Sequence, residues 1–319
     1  MDLPHLTLVL LLTGLTCYLL FGGADFGAGV WHLAAGRDGA QRKLIEHAIG
    51  PVWETNHVWL IFCLTLTWTA FPLAFAAVTS SFWVPLSLAA LGIIARGSAF
   101  AFRKAGADPR SVYAAVFALS SLLTPFFLGT VAGGVLTGRA TGPDPAGWTG
   151  PVPLYAGALT VGCCAYLAAV YLTADARRHH GTLAETFRTR ALGTGCLVGA
   201  MALTGPFVVR ADAPELFTAL TGRGLGLVAL SAAAGGLSLV LLVRRRYVAV
   251  RASAALAVAS LLWGSAVASY PRLGRAELTV AATAADPAVL AAVLTALGIG
   301  AVILVPSMLW LYTLFQRQG

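Results

Sequence analysis

Nine long apolar segments divide this chain, and they limit its fold more than any other feature. A helix needs about 20 predominantly apolar residues to cross a bilayer. The segments that meet this length are 5–34, 52–78, 80–103, 111–137, 152–174, 188–209, 224–243, 247–269 and 287–315. Long segments without strict polar alternation are typical of membrane helices and not of barrels. The sequence therefore predicts an all-α integral membrane protein whose residues 1–319 form a single polytopic domain.

The number of segments also suggests an arrangement. We expect about nine transmembrane helices, grouped as two four-helix bundles plus one peripheral helix, although no clear repeat relates the two halves of the sequence. Of all residues, 58% are hydrophobic and 11% are charged, whereas soluble domains carry roughly 25% charged residues. The net charge of +8 lies mostly in short loops, where basic residues set topology and contact anionic lipid. We therefore expect contact with membrane lipids and no nucleic-acid partner.

Loop charge predicts the orientation. Lys and Arg number fourteen in and beside the loops after odd-numbered segments, and five after even-numbered ones. Loops rich in Lys and Arg remain in the cytoplasm, so we expect the amino terminus outside and the carboxyl terminus inside the cell. Asp25, Glu54 and Arg96 then share one level, near the cytoplasmic ends of the first three helices.

Asp25 lies among glycines in "FGGADFGAGV", at the end of an apolar run. A carboxylate near the middle of a membrane helix costs about 2.5 to 3.5 kcal/mol on insertion scales, so it must be paired, protonated or hydrated. Two interpretations follow: a buried bond that holds helices together, or a group that relays protons. Gly23 and Gly27 share one helix face and predict close helix packing.

A second polar group occurs in "AIGPVWETNHVWLIF". Glu54 falls in the first turn of a helix, where the helix dipole favours an acid even without a function. Asn56 and His57 follow it into the apolar segment, and His57 lies one turn from Glu54. Histidine can exchange protons with a carboxylate near neutral pH, whereas this helix supplies no further metal ligands, so we predict no metal site. Arg96 must reach the surface or pair with Asp25 or Glu54.

These motifs resemble subunit II of the cytochrome bd-type quinol oxidases. That family has a D-G-x-D-[FLM]-G-x-G segment and a G/A-P-x-W-[DE]-x-N-x-V-W-L-I segment, which read "GGADFGAG" and "GPVWETNHVWLI" here. The similarity continues in "TAFPLAFA", "RGSAFAFR" and "WGSAVASYPRLGRAELTVAATAADP". Two positions depart from the pattern: the first acid of D-G-x-D is replaced by Gly22 or Gly23, and the helix-two acid is Glu54 where some members have aspartate.

The resemblance implies a role in aerobic respiration. It implies a haem-free subunit of the bacterial cytoplasmic membrane that pairs with subunit I, where b- and d-type haems oxidise quinol and reduce oxygen to water. A small single-helix accessory subunit and a structural quinone or lipid are further expectations. Asp25 and Glu54 match the acids of the family's proton path from the cytoplasm, and we add Asn56 and His57 to it.

Two other functions also fit the residues. Intramembrane acids beside glycine-rich helices mark ion sites in proton-coupled secondary transporters, and such a chain would act without a haem-bearing partner. A purely structural assembly subunit would use Asp25, Glu54 and Arg96 only to pair helices.

Overall fold

A computed structural model of the protein describes residues 2–36, 38–49, 53–104, 112–144, 146–179 and 181–317. Helices dominate all of these ranges. They are α1 (Leu3–Cys17), a π-helical turn (Tyr18–Gly22), α2 (Gly23–Ala34), α3 (Gly39–Ile49), α4 (Trp53–Ala70), α5 (Pro72–Ser81), α6 (Trp83–Lys104), α7 (Val112–Leu136), α8 (Ala146–Thr149), α9 (Pro151–His179), α10 (Gly181–Asp212), α11 (Pro214–Thr221), α12 (Leu225–Val243), α13 (Tyr247–Ser269), α14 (Val280–Thr283) and α15 (Pro287–Arg317).

Seven spans in the described residues are long and apolar enough to cross a membrane. They are Leu3–Ala34, Trp83–Phe102, Val112–Leu136, Pro151–Arg177, Leu183–Asp212, Leu225–Val243 and Tyr247–Ser269. The first contains α1, the π-helical turn and α2. The pair α4 and α5 would make an eighth span, and the apolar stretch Pro287–Ile303 of α15 is shorter than the others. The predicted all-α membrane fold is confirmed.

The second predicted segment, 52–78, is not one straight helix. Helices α4 and α5 meet at 119°, and Phe71 between them has φ −134° and ψ 60°. Pro72 causes the break, because proline disfavours a helical conformation in the residue before it. The carbonyl of Ala70 accepts a hydrogen bond from the amide of Ala285 at 2.9 Å. The connection before α15 thus supplies a hydrogen-bond donor to the last carbonyl of α4.

Two segments that the sequence suggested as loops form short helices, α3 and α11. Asp38 begins α3: its carboxylate accepts hydrogen bonds from the amides of Ala40 at 3.0 Å and Gln41 at 3.1 Å, as acidic residues at helix starts commonly do. Leu44 and Ile45 are buried in a cluster with residues of α2, α7, α9 and α10. Helix α3 therefore lies fixed against the ends of the spanning helices.

Helix α9 is the most enclosed of the seven spans and packs against α2, α7, α10 and α13. Small residues let α2 approach it: a Cβ at Gly27 would overlap the Cys164 carbonyl, and one at Gly23 would lie 3.3 Å from the Cys164 sulfur. The indole of Trp31 also donates to the Ala165 carbonyl at 2.7 Å. These contacts fix the rotation of α2 and hence the direction in which Asp25 points.

Candidate functional site

Asp25 and Arg96 form a bidentate ion pair inside the helix bundle. Nη1 of Arg96 donates to Oδ2 of Asp25 at 2.8 Å, and Nη2 donates to Oδ1 at 2.8 Å. Nη2 also donates to the Asp25 carbonyl at 3.0 Å, and Nε donates to Oγ of Ser121 at 2.8 Å. Of the two partners that the sequence suggested for Arg96, the structure places Asp25 against it.

The pair is shielded from solvent. Asp25 is 4% exposed and Arg96 is 1% exposed. The guanidinium carbon of Arg96 lies 5.0 Å from the ring centroid of Phe26 and 4.8 Å from that of Phe117, distances at which a cation is attracted to a ring face. Removing two charges from water is costly, and only good geometry with satisfied hydrogen bonds offsets that cost. The four hydrogen bonds of Arg96 meet this condition.

Three helices supply the pair and the serine hydroxyl bound to it, and a small residue brings two of these helices together. Asp25 comes from α2, Arg96 from α6 and Ser121 from α7. A Cβ at Gly29 would overlap the Ser121 hydroxyl. The glycine therefore leaves space for this hydroxyl, which accepts the hydrogen bond from Nε of Arg96. The Ser121 hydroxyl in turn donates to the Phe117 carbonyl at 2.6 Å. The α2–α7 contact therefore fixes the orientation of the guanidinium as well as its charge partner.

A polar cluster, formed by Tyr18 and His57 around the ring of Phe26, lies beside the pair. The His57 ring centroid is 6.0 Å from that of Phe26 and 6.3 Å from that of Tyr18, and Phe26 is the ring that also faces Arg96. Among the described residues, the Tyr18 hydroxyl and Nδ1 of His57 are buried without a hydrogen-bond partner. Buried polar atoms that lack a protein partner are commonly satisfied by ordered water. The Tyr18 hydroxyl and Nδ1 of His57 are therefore the atoms in this cluster that call for ordered water.

Asn56 joins α4 to the π-helical turn. Its side-chain amide donates to the Phe21 carbonyl at 3.3 Å, within the turn Tyr18–Gly22 that connects α1 to α2. Turns of this type interrupt the regular α-helical hydrogen-bond pattern and often occur at functional sites. Asn56 thus helps to hold the turn that precedes Asp25. Glu54 lies at the start of α4, but its side chain is outside the described residues.

His32 and Glu46 are polar residues that the sequence interpretation missed. His32 is on α2 and 1% exposed, its ring lies edge-on to Phe117 at 5.7 Å, and its Nε2 is 3.4 Å from Oε1 of Glu46 on α3. A signal was present in the sequence, because His32 follows Asp25 by seven residues and therefore lies on the same face of a helix. Glu46 gave no such signal, since α3 was not predicted.

A separate cavity of about 460 Å³ lies at the carboxyl-terminal ends of α7, α10 and α13. Charged residues line it together with backbone groups, but they already have partners: Arg272 pairs with Glu215 at 2.9 Å, and Arg223 donates to the Ala268 carbonyl at 3.1 Å. In the described part of the chain, no group of three His, Cys, Asp or Glu side chains is arranged to hold a metal ion. The Asp25–Arg96 pair and the polar cluster beside it therefore remain the candidate site. The pair supplies buried charges, and the cluster supplies polar atoms without a protein partner among the described residues.

Comparison with known proteins decides the family. The family model for cytochrome bd terminal oxidase subunit II matches residues 3–315. The chain belongs to this family. The resemblance that the sequence motifs predicted is thus confirmed across nearly the whole chain.

Relatives of this subunit II chain are similar in sequence over part of their length. Cytochrome bd ubiquinol oxidase subunit 2 of Bacillus subtilis is 30% identical over 41% of this chain and 38% of its own length. Cytochrome bd-I ubiquinol oxidase subunit 2 of Escherichia coli strain K12 is 28% identical over 47% of this chain and 43% of its own. The chain thus aligns with less than half the length of these relatives.

The fold similarity is more extensive than the sequence similarity. A chain of the bd oxidase from Geobacillus thermodenitrificans matches with a TM-score of 0.84 and 24% identity, covering 100% of both chains. At this identity the match shows a shared fold. This chain and the matched oxidase chain therefore have the same overall fold along their whole length.

Proposed function

We propose that this protein is the haem-free subunit II of a cytochrome bd-type quinol oxidase. It pairs with subunit I, which holds b- and d-type haems, oxidises quinol and reduces oxygen to water in an electrogenic reaction. Nine transmembrane helices, as two four-helix bundles and one peripheral helix, lie in the bacterial cytoplasmic membrane with the amino terminus outside. A single-helix accessory subunit and a structural quinone or lipid complete the complex. Family membership over residues 3–315 supports this assignment.

The contribution of this subunit is a proton path from the cytoplasm. The observation that carries it is the buried Asp25–Arg96 ion pair, adjoined by the partnerless Tyr18 hydroxyl and His57 Nδ1. Oxygen reduction consumes protons, and protons cross an apolar interior on side chains and internal water. A buried charge next to polar atoms that need water supports such a path at this position.

Each residue of the proposed proton path has a different role. Asp25 uses both carboxylate oxygens on Arg96, so the pair supplies fixed charges that orient nearby water. Nδ1 of His57 has no protein hydrogen-bond partner in the described part of the chain, and an imidazole can act as both proton acceptor and proton donor. Glu54, one turn before His57, delivers protons to it, and Asn56 holds the backbone turn in place. Gly23 and Gly27 hold α2 against α9.

The packing of His32 supports placing the haems in subunit I. A haem ligand needs an imidazole nitrogen that points into open space beside the ring. His32 is 1% exposed and packs against Phe117, and its Nε2 lies 3.4 Å from the Glu46 carboxylate. This residue does not fit an axial haem ligand.

The test uses the complete oxidase, with subunit I and normal haem absorption. We expect Glu54→Gln, His57→Gln and Asp25→Asn to slow quinol-dependent oxygen consumption and proton uptake from the cytoplasmic side together. Glu185→Gln is the matched control, since Glu185 is an exposed acid paired with Arg188 on α10. Normal turnover in all three variants with intact haem would favour a purely structural subunit.

A second measurement separates the oxidase from a transporter. The chain is placed alone in sealed vesicles that carry a pH gradient and a pH-sensitive dye. A proton-coupled secondary transporter dissipates the gradient when substrate is added, without subunit I. We expect no change in the gradient until subunit I and quinol are both present.

A further inference from the structure

His32 and Glu46 connect the buried interior to the surface at one end of the bundle. The Glu46 side chain is 44% exposed, whereas that of His32 is 1% exposed, and their nearest oxygen and nitrogen atoms are 3.4 Å apart. The buried residues Leu44 and Ile45 fix α3 against the helices that surround His32. A carboxylate that reaches solvent therefore lies next to an imidazole that does not.

His32 lies on the same face of α2 as Asp25. Asp25, Gly29 and His32 are spaced by four and then three residues, so they share one helix face. Seven residues of helix span about 10 Å. The intervening space holds the Ser121 hydroxyl next to Gly29, and Phe117 contacts both the His32 ring and the Arg96 guanidinium. The same α2–α7 contact that orients Arg96 thus extends to His32.

We propose that Glu46 and His32 form the cytoplasmic entrance of the proton path, from which protons pass along α2 toward the Asp25–Arg96 pair. This inference rests on the proposed function, because it requires that protons be consumed in the complex. It adds two residues to the path and places its opening at the contact between α3 and α2. Helix α3 then acts as the element that presents the proton acceptor to the cytoplasm.

The transfer is balanced in protons. The Glu46 carboxylate takes one proton from the cytoplasm and passes it to Nε2 of a neutral His32, which becomes an imidazolium. The imidazolium releases one proton from Nδ1 toward the interior, which leaves the other neutral tautomer. A rotation of the ring, or proton exchange through a hydrogen-bonded water, then restores the starting form. No electron moves and no bond between heavy atoms changes. Carboxylate and imidazole are suited to this exchange because each can both accept and donate a proton.

The experiment measures proton uptake in the assembled oxidase, using variants with normal haem absorption. We expect His32→Leu to slow uptake by at least about tenfold, since a positioned proton-transfer group contributes on the order of 100-fold or more. Glu46→Gln should slow uptake, and Glu46→Asp should preserve part of it. His47→Leu is the matched control, because His47 is exposed on the same helix, one residue beyond Glu46.

Chemical rescue separates a relay from a merely structural contact. His32→Ala removes the ring, and imidazole added to the buffer should restore proton uptake if the ring carries protons. A loss of uptake in His32→Ala that imidazole does not restore, or an uptake rate in His32→Leu equal to that of His47→Leu, would overturn the proposal. If Glu54→Gln slows uptake while the His32 and Glu46 variants do not, the entrance is wrong and the proton path stands. If none of these variants slows uptake, the path itself is wrong.

Discussion

The Asp25–Arg96 pair should show strong energetic coupling in a double-mutant cycle. Arg96→Met removes the four hydrogen bonds of the guanidinium and leaves the buried Asp25 carboxylate without its counterion. Removing one partner of a buried pair typically costs about 3–5 kcal/mol of unfolding free energy. Asp25→Leu leaves the guanidinium uncompensated in the same way, so we expect a cost in the same range.

The double variant is the informative member of the cycle. Asp25→Leu with Arg96→Met removes both charges together, and apolar residues of similar volume can replace a buried pair at little cost. The double variant should therefore be clearly more stable than the sum of the two single effects implies. Two single costs of about 3–5 kcal/mol each, against little cost for the double variant, give an expected coupling energy of about 6–10 kcal/mol.

The assay is reversible unfolding in detergent micelles, followed by circular dichroism and by the fraction of chain that still binds subunit I. The control cycle uses the exposed pair Arg272–Glu215, whose atoms are 2.9 Å apart. Exposed ion pairs contribute less than about 1 kcal/mol. Additive effects at Asp25 and Arg96, or a coupling energy no larger than that of the control, would refute the argument from burial and bidentate geometry.

Two further predictions concern packing and pH. Gly27→Val should prevent assembly with subunit I, because any Cβ there overlaps the Cys164 carbonyl. The measurement is haem absorbance in purified membranes. Gly39→Val is the unaffected control, because a Cβ at Gly39 meets no described atom within 4 Å. Hydrogen bonds from the backbone and side chain of Gln41 lower the pKa of Asp38 below its ordinary value, so its stabilisation of α3 is present above the ordinary value and is lost as pH falls through the lowered one. In the native chain, hydrogen exchange of the α3 amides should rise, relative to its intrinsic rate, as pH falls over that interval. In Asp38→Ala it should be raised already at neutral pH. Equal exchange in the two chains at neutral pH would contradict the capping role.

The spanning helices could be predicted because the bilayer requires long apolar runs, and such runs are visible without knowledge of packing. The break between α4 and α5 was not predicted, and the segment 52–78 was interpreted as one helix, because a proline inside an apolar run can merely kink a helix. The 119° turn depends on Phe71 and on the hydrogen bond from Ala285. That bond joins residues far apart in the chain, so only the fold reveals it.

The candidate site was predictable to the extent that charge in an apolar segment is conspicuous. Asp25 and Arg96 stood out for that reason, although the choice between Asp25 and Glu54 as the partner of Arg96 required the structure. Tyr18, Phe117 and Ser121 resemble ordinary helix residues in the sequence. Their importance comes from the packing of α2 against α7 and from the π-helical turn, which no local pattern indicates.

The bidentate pair also has a consequence for biosynthesis. Arg96 follows Asp25 by 71 residues, so at about 5–20 residues per second the ribosome needs roughly 4 to 14 s to make the cation after the acid has emerged. During that interval the first hydrophobic span contains Asp25 without its counterion. Membrane insertion of this chain therefore favours a delayed release of the first span, which stays at the insertion machinery until α6 and α7 arrive to enclose Asp25.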